Sequence, residues 1–319
     1  MRLAAKVLIA VVVVVALATI GVSWRAVQIE TAAETAHPPE GQLLDINGQQ
    51  VHAVVMGAGP DVVLIHGSAG NTRDMTLSLA PALAANYRVI VFDRPGLGYT
   101  DVVNPSGASL TQQATLLADA AARLGVYRPI VLGHSYGGAV ALAWAVHRPD
   151  EIAALVPLAA ASNPWESALP TLYRINSNPV GSAVAVPLLT SFVSKDYVAA
   201  AIADVFKPQS PPEAYAENVA AALSLRRTSL RANALQRANI LHEINDLQPL
   251  YSMISVPTEI VHGDADETVG YDIHSVKLAR QIPNAVLTRL PGIGHMPHHV
   301  ATSDVVAAVD RAAARAGLR

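Results

Sequence analysis

The stretch Ile130-Val131-Leu132-Gly133-His134-Ser135-Tyr136-Gly137-Gly138-Ala139-Val140-Ala141-Leu142-Ala143-Trp144 changes character in its middle. Residues 130–132 form a short apolar, β-branched run that predicts a buried strand, and the residues from Gly137 onward predict a helix. Between them Gly-His-Ser-Tyr-Gly matches G-x-S-x-G. A serine at the apex of a strand-to-helix turn is held in a strained backbone conformation, so the residues two before and two after it must be nearly free of side chain. Gly133 and Gly137 meet that demand, and Gly138 lets the helix start pack closely. Such a turn presents the Ser135 hydroxyl at a helix N-terminus, where partial positive charge favours a developing oxyanion. A glycine-rich turn with an idle serine fits the five residues taken alone; the flanking strand and helix favour a nucleophile.

Outward from this turn the chain alternates. Asn47-Gly48 between residues 43–46 and 49–56 is a hairpin signal. Residues 61–65 predict a strand running into His66-Gly67-Ser68-Ala69-Gly70. A helix over 76–85 and a strand over 87–92 lead into Asp93-Arg94-Pro95-Gly96-Leu97-Gly98. A helix over 110–124 follows, and after the central turn a strand over 152–158. Alternation of this kind argues for a parallel sheet covered on both faces. From 162 to 240 the segment is alanine-rich, helical and interrupted by prolines, the place for a lid over the strand C-termini. Strands over 258–261 and 286–290, with helices over 273–282 and 303–316, restore the alternation.

The chain of 319 residues is 51% hydrophobic with a net charge of −3, which gives no case for nucleic acid. The absence of cysteine excludes disulfides and thiolate zinc sites and leaves the redox compartment open. Residues 7–22 are uncharged and almost wholly apolar, preceded by Arg2 and Lys6 and followed by Trp24. As a helix they span about 24 Å, against a hydrocarbon core of about 30 Å. This predicts an N-terminal transmembrane anchor over 1–25 with the rest of the chain outside the cytoplasm. A cleaved signal peptide ending near Ala16-Leu17-Ala18 is the rival, a buried globular helix the plainer alternative. Residues 26–41 read as a polar linker, 42–161 and 241–319 as the core, and 162–240 as the lid.

A serine nucleophile needs a base, and the base needs an orienting carboxylate. The loop after 258–261 offers Asp264, Asp266, Glu267 and Asp272; the loop after 286–290 offers His295, His298 and His299. No acid follows the 152–158 strand, which runs into Ala159-Ala160-Ala161-Ser162. His295-Met296-Pro297-His298-His299 also reads as a metal cluster, but no matched acid lies nearby in the sequence. His134 reads as a packing or hydrogen-bonding neighbour of the serine, and His66 and Asp93 as braces for their loops. Trp165, Tyr173 and Phe192 suit either a pocket lining or the lid's own core.

From about residue 42 to 316 the chain resembles the α/β-hydrolase superfamily, in its cofactor-free, lid-bearing serine esterase and haloperoxidase-like branch. The motifs are His66-Gly67-Ser68, Asp93-Arg94-Pro95-Gly96-Leu97-Gly98, Gly133-His134-Ser135-Tyr136-Gly137, Gly263-Asp264-Ala265-Asp266 and Gly292-Ile293-Gly294-His295. Two departures stand out: His-Gly-Ser-Ala-Gly replaces the His-Gly-Phe-Pro of many epoxide hydrolases and haloperoxidases, and Thr100 replaces a common serine. The resemblance implies the α/β-hydrolase fold with a helical lid. It implies Ser135 as nucleophile, His295 as base, Asp266 (three after Gly263) as acid, and the backbone N–H groups of Ser68 and Tyr136 as oxyanion donors. No cofactor or metal is expected. Related epoxide hydrolases and haloalkane dehalogenases use an aspartate nucleophile; a serine implies acyl transfer, most simply to a carboxylic ester. A C–C bond hydrolase, a lactonase or a perhydrolase would use the same triad, and a non-catalytic binding protein of this fold would lose part of it. The expected partners are a small acyl substrate and a membrane.

Overall fold

A computed structural model describes residues 2–319. Eight strands form one sheet: β1 (Gln42–Ile46), β2 (Gln49–Met56), β3 (Asp61–Ile65), β4 (Arg88–Phe92), β5 (Ile130–His134), β6 (Ala154–Leu158), β7 (Thr258–Gly263) and β8 (Ala285–Leu290). Their order is β1-β2-β4-β3-β5-β6-β7-β8. The β1–β2 and β2–β4 pairs are antiparallel and the rest parallel. Asn47 and Gly48 take positive φ of 55° and 83° in the β1–β2 turn, the conformation this dipeptide favours.

Alternate residues of the central strands feed two cores. Val63, Ile65, Ile90, Phe92 and Val131 pack with α2 (Leu110–Arg123) and α3 (Tyr136–His147) on one face. Val62, Leu64, Val89, Val91, Leu132 and Val156 pack with the helix Leu79–Ala84 and with the C-terminal helix Thr302–Arg315 on the other. Because both faces are covered, these strands are apolar throughout rather than alternating. Ser109 and Gln112 start α2 with a reciprocal capping box. The predicted helix over 76–85 is instead two short ones, broken at Leu77-Ser78, where the Ser78 hydroxyl donates to His299 Nδ1 at 3.0 Å.

Between β6 and β7 the chain carries helices and, among the described residues, no strand. This insertion includes α4 (Pro179–Phe192) and ends in α5 (Arg227–Leu247), which runs past the expected boundary at 240 and buries Ile240, Ile244 and Leu247 in the core.

The N-terminus departs from expectation. Helix α1 runs unbroken from Arg2 to Ala36, so residues 26–36 are not a linker. Residues 2–21 stand clear of the protein body, about 30 Å of helix long and apolar enough to cross a membrane. Below them Ala26 and Ala33 are buried and Glu30 turns inward with them, a spacing that matches one helical face. Glu30 takes both Nε and Nη2 of Arg227 at 2.9 and 2.7 Å and accepts from the Arg227 backbone N at 2.8 Å, which caps α5. Burial works to raise the Glu30 carboxyl, but Arg227 outweighs it and holds it below its ordinary value. These charges look like a solvated linker in sequence because their partners lie nearly 200 positions away. Removing residues 1–21 should therefore leave the melting temperature of the detergent-free protein intact. Removing 1–40 should lower it by roughly 5–10 °C, the equivalent of about 2–3 kcal/mol of lost burial and pairing. Equal melting temperatures for the two truncations would show that residues 22–40 contribute nothing.

Candidate active site

Ser135 sits between β5 and α3 with φ 55° and ψ −117°, a conformation costing on the order of 1–3 kcal/mol for a residue with a Cβ. Neighbouring backbone holds it there: Ser135 N donates to Leu158 O at 3.0 Å, and Ser135 O accepts from Gly138 N at 3.0 Å and Ala161 N at 3.2 Å. A Cβ at Gly133 would strike the Gly137 carbonyl, and one at Gly137 would strike the carbonyls of Ile65 and His66. Those two collisions are the physical content of G-x-S-x-G.

The three expected side chains converge. Ser135 Oγ lies 2.9 Å from His295 Nε2, and His295 Nδ1 lies 2.6 Å from Asp266 Oδ2. All three are buried, at 7%, 3% and 7% exposure. Since a carboxylate only accepts, His295 carries its proton on Nδ1 and leaves Nε2 free to accept from the serine hydroxyl. Among the described residues Asp266 is the loop carboxylate in contact with His295; Asp264 pairs with Arg289 at 2.5 Å.

Asp266 is held more firmly than its motif implies. Its Oδ1 accepts from Thr268 N and Val269 N, both at 2.8 Å, and its Oδ2 also accepts from His262 Nε2 at 2.9 Å. Burial acts to raise the carboxyl, yet the hydrogen bonds from His262 and His295 hold it far below the usual carboxylate range. His262 itself accepts at Nδ1 from the Ser275 hydroxyl at 2.6 Å. Its position at the end of β7 was visible in the sequence; its contact with Asp266 was not.

The His66-Gly67-Ser68 loop lies against the nucleophile: a Cβ on Gly67 would stand 3.2 Å from Ser135 Cβ. Arg94 fixes this loop from behind. Its Nε donates to His66 O at 3.0 Å and its Nη2 to Gly67 O at 2.9 Å. A trans peptide points N–H opposite to C=O, so anchoring the Gly67 carbonyl turns the Ser68 N–H away from Arg94. Arg94 is fully buried, and among the described residues its hydrogen-bond partners are all neutral, including Gln113 and Gln236 at 3.0 and 2.7 Å. Its guanidinium also lies 4.2 Å from the Tyr136 ring centroid, and burial brings its pKa down to about 10. The other donor expected, Tyr136 N, belongs to the first residue of α3, where backbone N–H groups lack an intrahelical acceptor. The insertion grips the same loop: Asn233 Oδ1 accepts from Ala69 N at 2.9 Å, and Ser224 Oγ donates to Ala69 O.

His134 donates from Nε2 to His295 O at 2.8 Å and so steadies the backbone of the base. Burial holds its pKa far below the ordinary value. His66 accepts from Arg94 N at Nε2, and burial followed by the Arg94 charge lowers it to about 4. Asp93 accepts from His52, Thr72 N and Tyr99 N and braces its loop. Trp165 packs beside His274, Tyr173 lies under Arg237, and Phe192 faces outward. The acid that the sequence did not offer to His298 and His299 is Asp74, whose carboxylate accepts from His299 Nε2 at 3.0 Å and from the Tyr215 hydroxyl at 2.6 Å. Asp74, His298 and His299 together have the spacing of a metal-binding group. A cavity of about 340 Å³ between Pro95, Val102 and Leu235 touches none of Ser135, Asp266 or His295.

Residues 60–302 match the profile of the alpha/beta hydrolase fold family, and the chain belongs to that family. It is 29% identical to a putative carbamate hydrolase RutD of Stutzerimonas stutzeri, over 77% of this chain and 88% of that one. It is 31% identical to part of the polyketide synthase ThaQ of Burkholderia thailandensis, over 80% of this chain but only 12% of that protein's length. Among solved structures, a thermophilic esterase from Thermogutta terrifontis superposes with a TM-score of 0.68 at 23% identity, covering 86% of this chain and 97% of the esterase.

Proposed function

We propose that this protein is a serine hydrolase cleaving a small or medium acyl substrate, most simply a carboxylic ester, through an acyl-enzyme. The observation that carries this reading is the unbroken relay Ser135 Oγ–His295 Nε2, His295 Nδ1–Asp266 Oδ2. The Ser135 oxygen adds to the ester carbonyl while its proton passes to His295 Nε2. The tetrahedral oxyanion is received by the N–H groups of Ser68 and Tyr136, and Arg94, behind the Gly67 carbonyl, aligns and polarises the first of these. Collapse expels the alkoxide, which takes the proton from His295. Water, deprotonated by the same imidazole, then releases the carboxylic acid and restores Ser135. With Ser135 7% exposed, the helical insertion acts as a lid that moves to admit substrate. The apolar start of α1 anchors the chain, with the catalytic domain outside the cytoplasm.

A fluorophosphonate probe should label the full chain at Ser135, and Ser135→Ala should abolish labelling. Labelling that survives the substitution would refute the assignment. Turnover of a p-nitrophenyl ester panel of graded chain length, with carbamates and lactones included, then ranks the acyl classes.

A further inference from the structure

The insertion carries an apolar surface that the reaction does not use. Between Arg174 and Lys195 no residue is charged. Helix α4 lies in this stretch and is pinned on one side, where Val186 and Thr190 are buried and the Thr190 hydroxyl donates to Leu225 O at 2.7 Å, while Ser191 at its C-terminal end is buried against α1. On the other side Val180, Val184, Leu188 and Phe192 recur every fourth residue, with exposures of 79%, 63%, 43% and 58%. A ridge of this size on a water-facing helix is unusual for a soluble domain.

Its position says what covers it. The C-terminal end of α4 meets α1 where α1 leaves its free apolar segment: Ser191 Oγ donates to Val22 O at 3.0 Å, Arg25 Nε donates to Ser191 O at 2.9 Å, and the Arg25 guanidinium lies 5.1 Å from the Phe192 ring centroid. Exposed Trp24 on α1 lies beside this junction, and exposed Tyr197 follows α4 on the next helix, residue types that collect at a membrane surface. If residues 2–21 cross a bilayer, its surface passes through the junction and meets the C-terminal end of the α4 ridge at Phe192. We propose that α4 is a second membrane contact, an interfacial helix with its Val180–Phe192 ridge seated in the headgroup region. This rests on the reading of α1 as an anchor and not on the hydrolytic reading.

The cysteine-free sequence makes the test direct. Val184→Cys, Val14→Cys and Tyr127→Cys, each in the full chain, are labelled with an environment-sensitive nitrobenzoxadiazole dye and reconstituted into phosphatidylcholine vesicles. Nitroxide-bearing lipids in the same vesicles report the label's depth. The label at 184 should show a blue shift and lose fluorescence to a shallow nitroxide more than to a deep one. The label at 14 should be quenched by the deep one, and that at 127, 82% exposed on a separate loop, by neither. A label at 184 that behaves like that at 127, while 14 is quenched, overturns the proposal and leaves the anchor standing. A blue shift at 184 without lipid quenching means contact with a second copy and overturns it too. An unquenched label at 14 removes the anchor and the proposal together.

Discussion

Asp266→Asn is expected to lower kcat on a carboxylic ester by about 10⁴-fold while leaving KM within a few-fold. The reason is the direction in which the new amide must point. Oδ1 of Asp266 accepts from two backbone donors, Thr268 N and Val269 N, each at 2.8 Å. An NH₂ group in that place would face two N–H groups, so the amide oxygen stays there and the nitrogen takes the place of Oδ2. That position faces His295 Nδ1 at 2.6 Å. The imidazole must then accept at Nδ1 and carry its proton on Nε2, 2.9 Å from Ser135 Oγ, where it can no longer take the serine proton. His262 is spared, because its Nε2 also lies 2.9 Å from Val269 O. Steady-state kinetics with near-ultraviolet circular dichroism on the same sample checks this. An unchanged spectrum with less than a tenfold loss of kcat would remove Asp266 from the orienting role.

What could be read in the sequence was whatever local sterics enforce. The turn at Ser135 announces itself because Gly133 and Gly137 are required within two residues of it, and the β1–β2 hairpin because Asn47-Gly48 suits two successive positive φ values. The alternation of strands and helices that defines the family followed from the same short-range patterns. What escaped depends on topology. Arg94 meets Gln113 and Gln236 from two different helices, and no spacing rule links an arginine to two distant glutamines. Asp74 reaches His299 across 225 positions, so the histidines looked unmatched. The polar half of α1 resembled a linker for the same reason: an inward Glu30 reads as solvated until Arg227 is known to lie opposite it. His262 was in view, yet nothing local distinguishes a strand-end histidine that supports Asp266 from one that merely packs.

Buried histidines set the second large expectation, a protein that unfolds well above the pH at which carboxylates titrate. Burial is the leading cause that lowers His66, His274 and His298 to about 4, with the Arg94 charge adding to it for His66. In the unfolded chain each titrates near 6.5. Between pH 6.5 and 4 the unfolded state therefore binds more protons than the native state, so stability falls as pH falls through this window. Each group can withdraw up to about 3 kcal/mol, and the three together about 10 kcal/mol, comparable with the whole stability of an ordinary domain. His134, displaced in the same direction, adds to the loss. His52 does not offset it: burial works to lower His52, Asp93 outweighs burial and raises it, and its contribution is fully present below 6.5 and lost only as pH rises through its folded value. Below about pH 4 the depressed carboxyls of Asp74, Asp93 and Asp266 steepen the decline, because their stabilisation is lost as pH falls toward their folded values. Denaturant titrations of the full chain in detergent should thus show a midpoint that drops steeply from pH 6.5 and a tertiary signal gone before pH 4. His274→Asn supplies an amide oxygen for Ser162 N and Asn163 N, which the ring nitrogen accepts at 3.0 and 3.1 Å, and should reduce the pH slope by about one proton. A midpoint that stays level down to pH 4.5 would mean these histidines are charged in the folded protein, and the burial argument for their neutrality would fail.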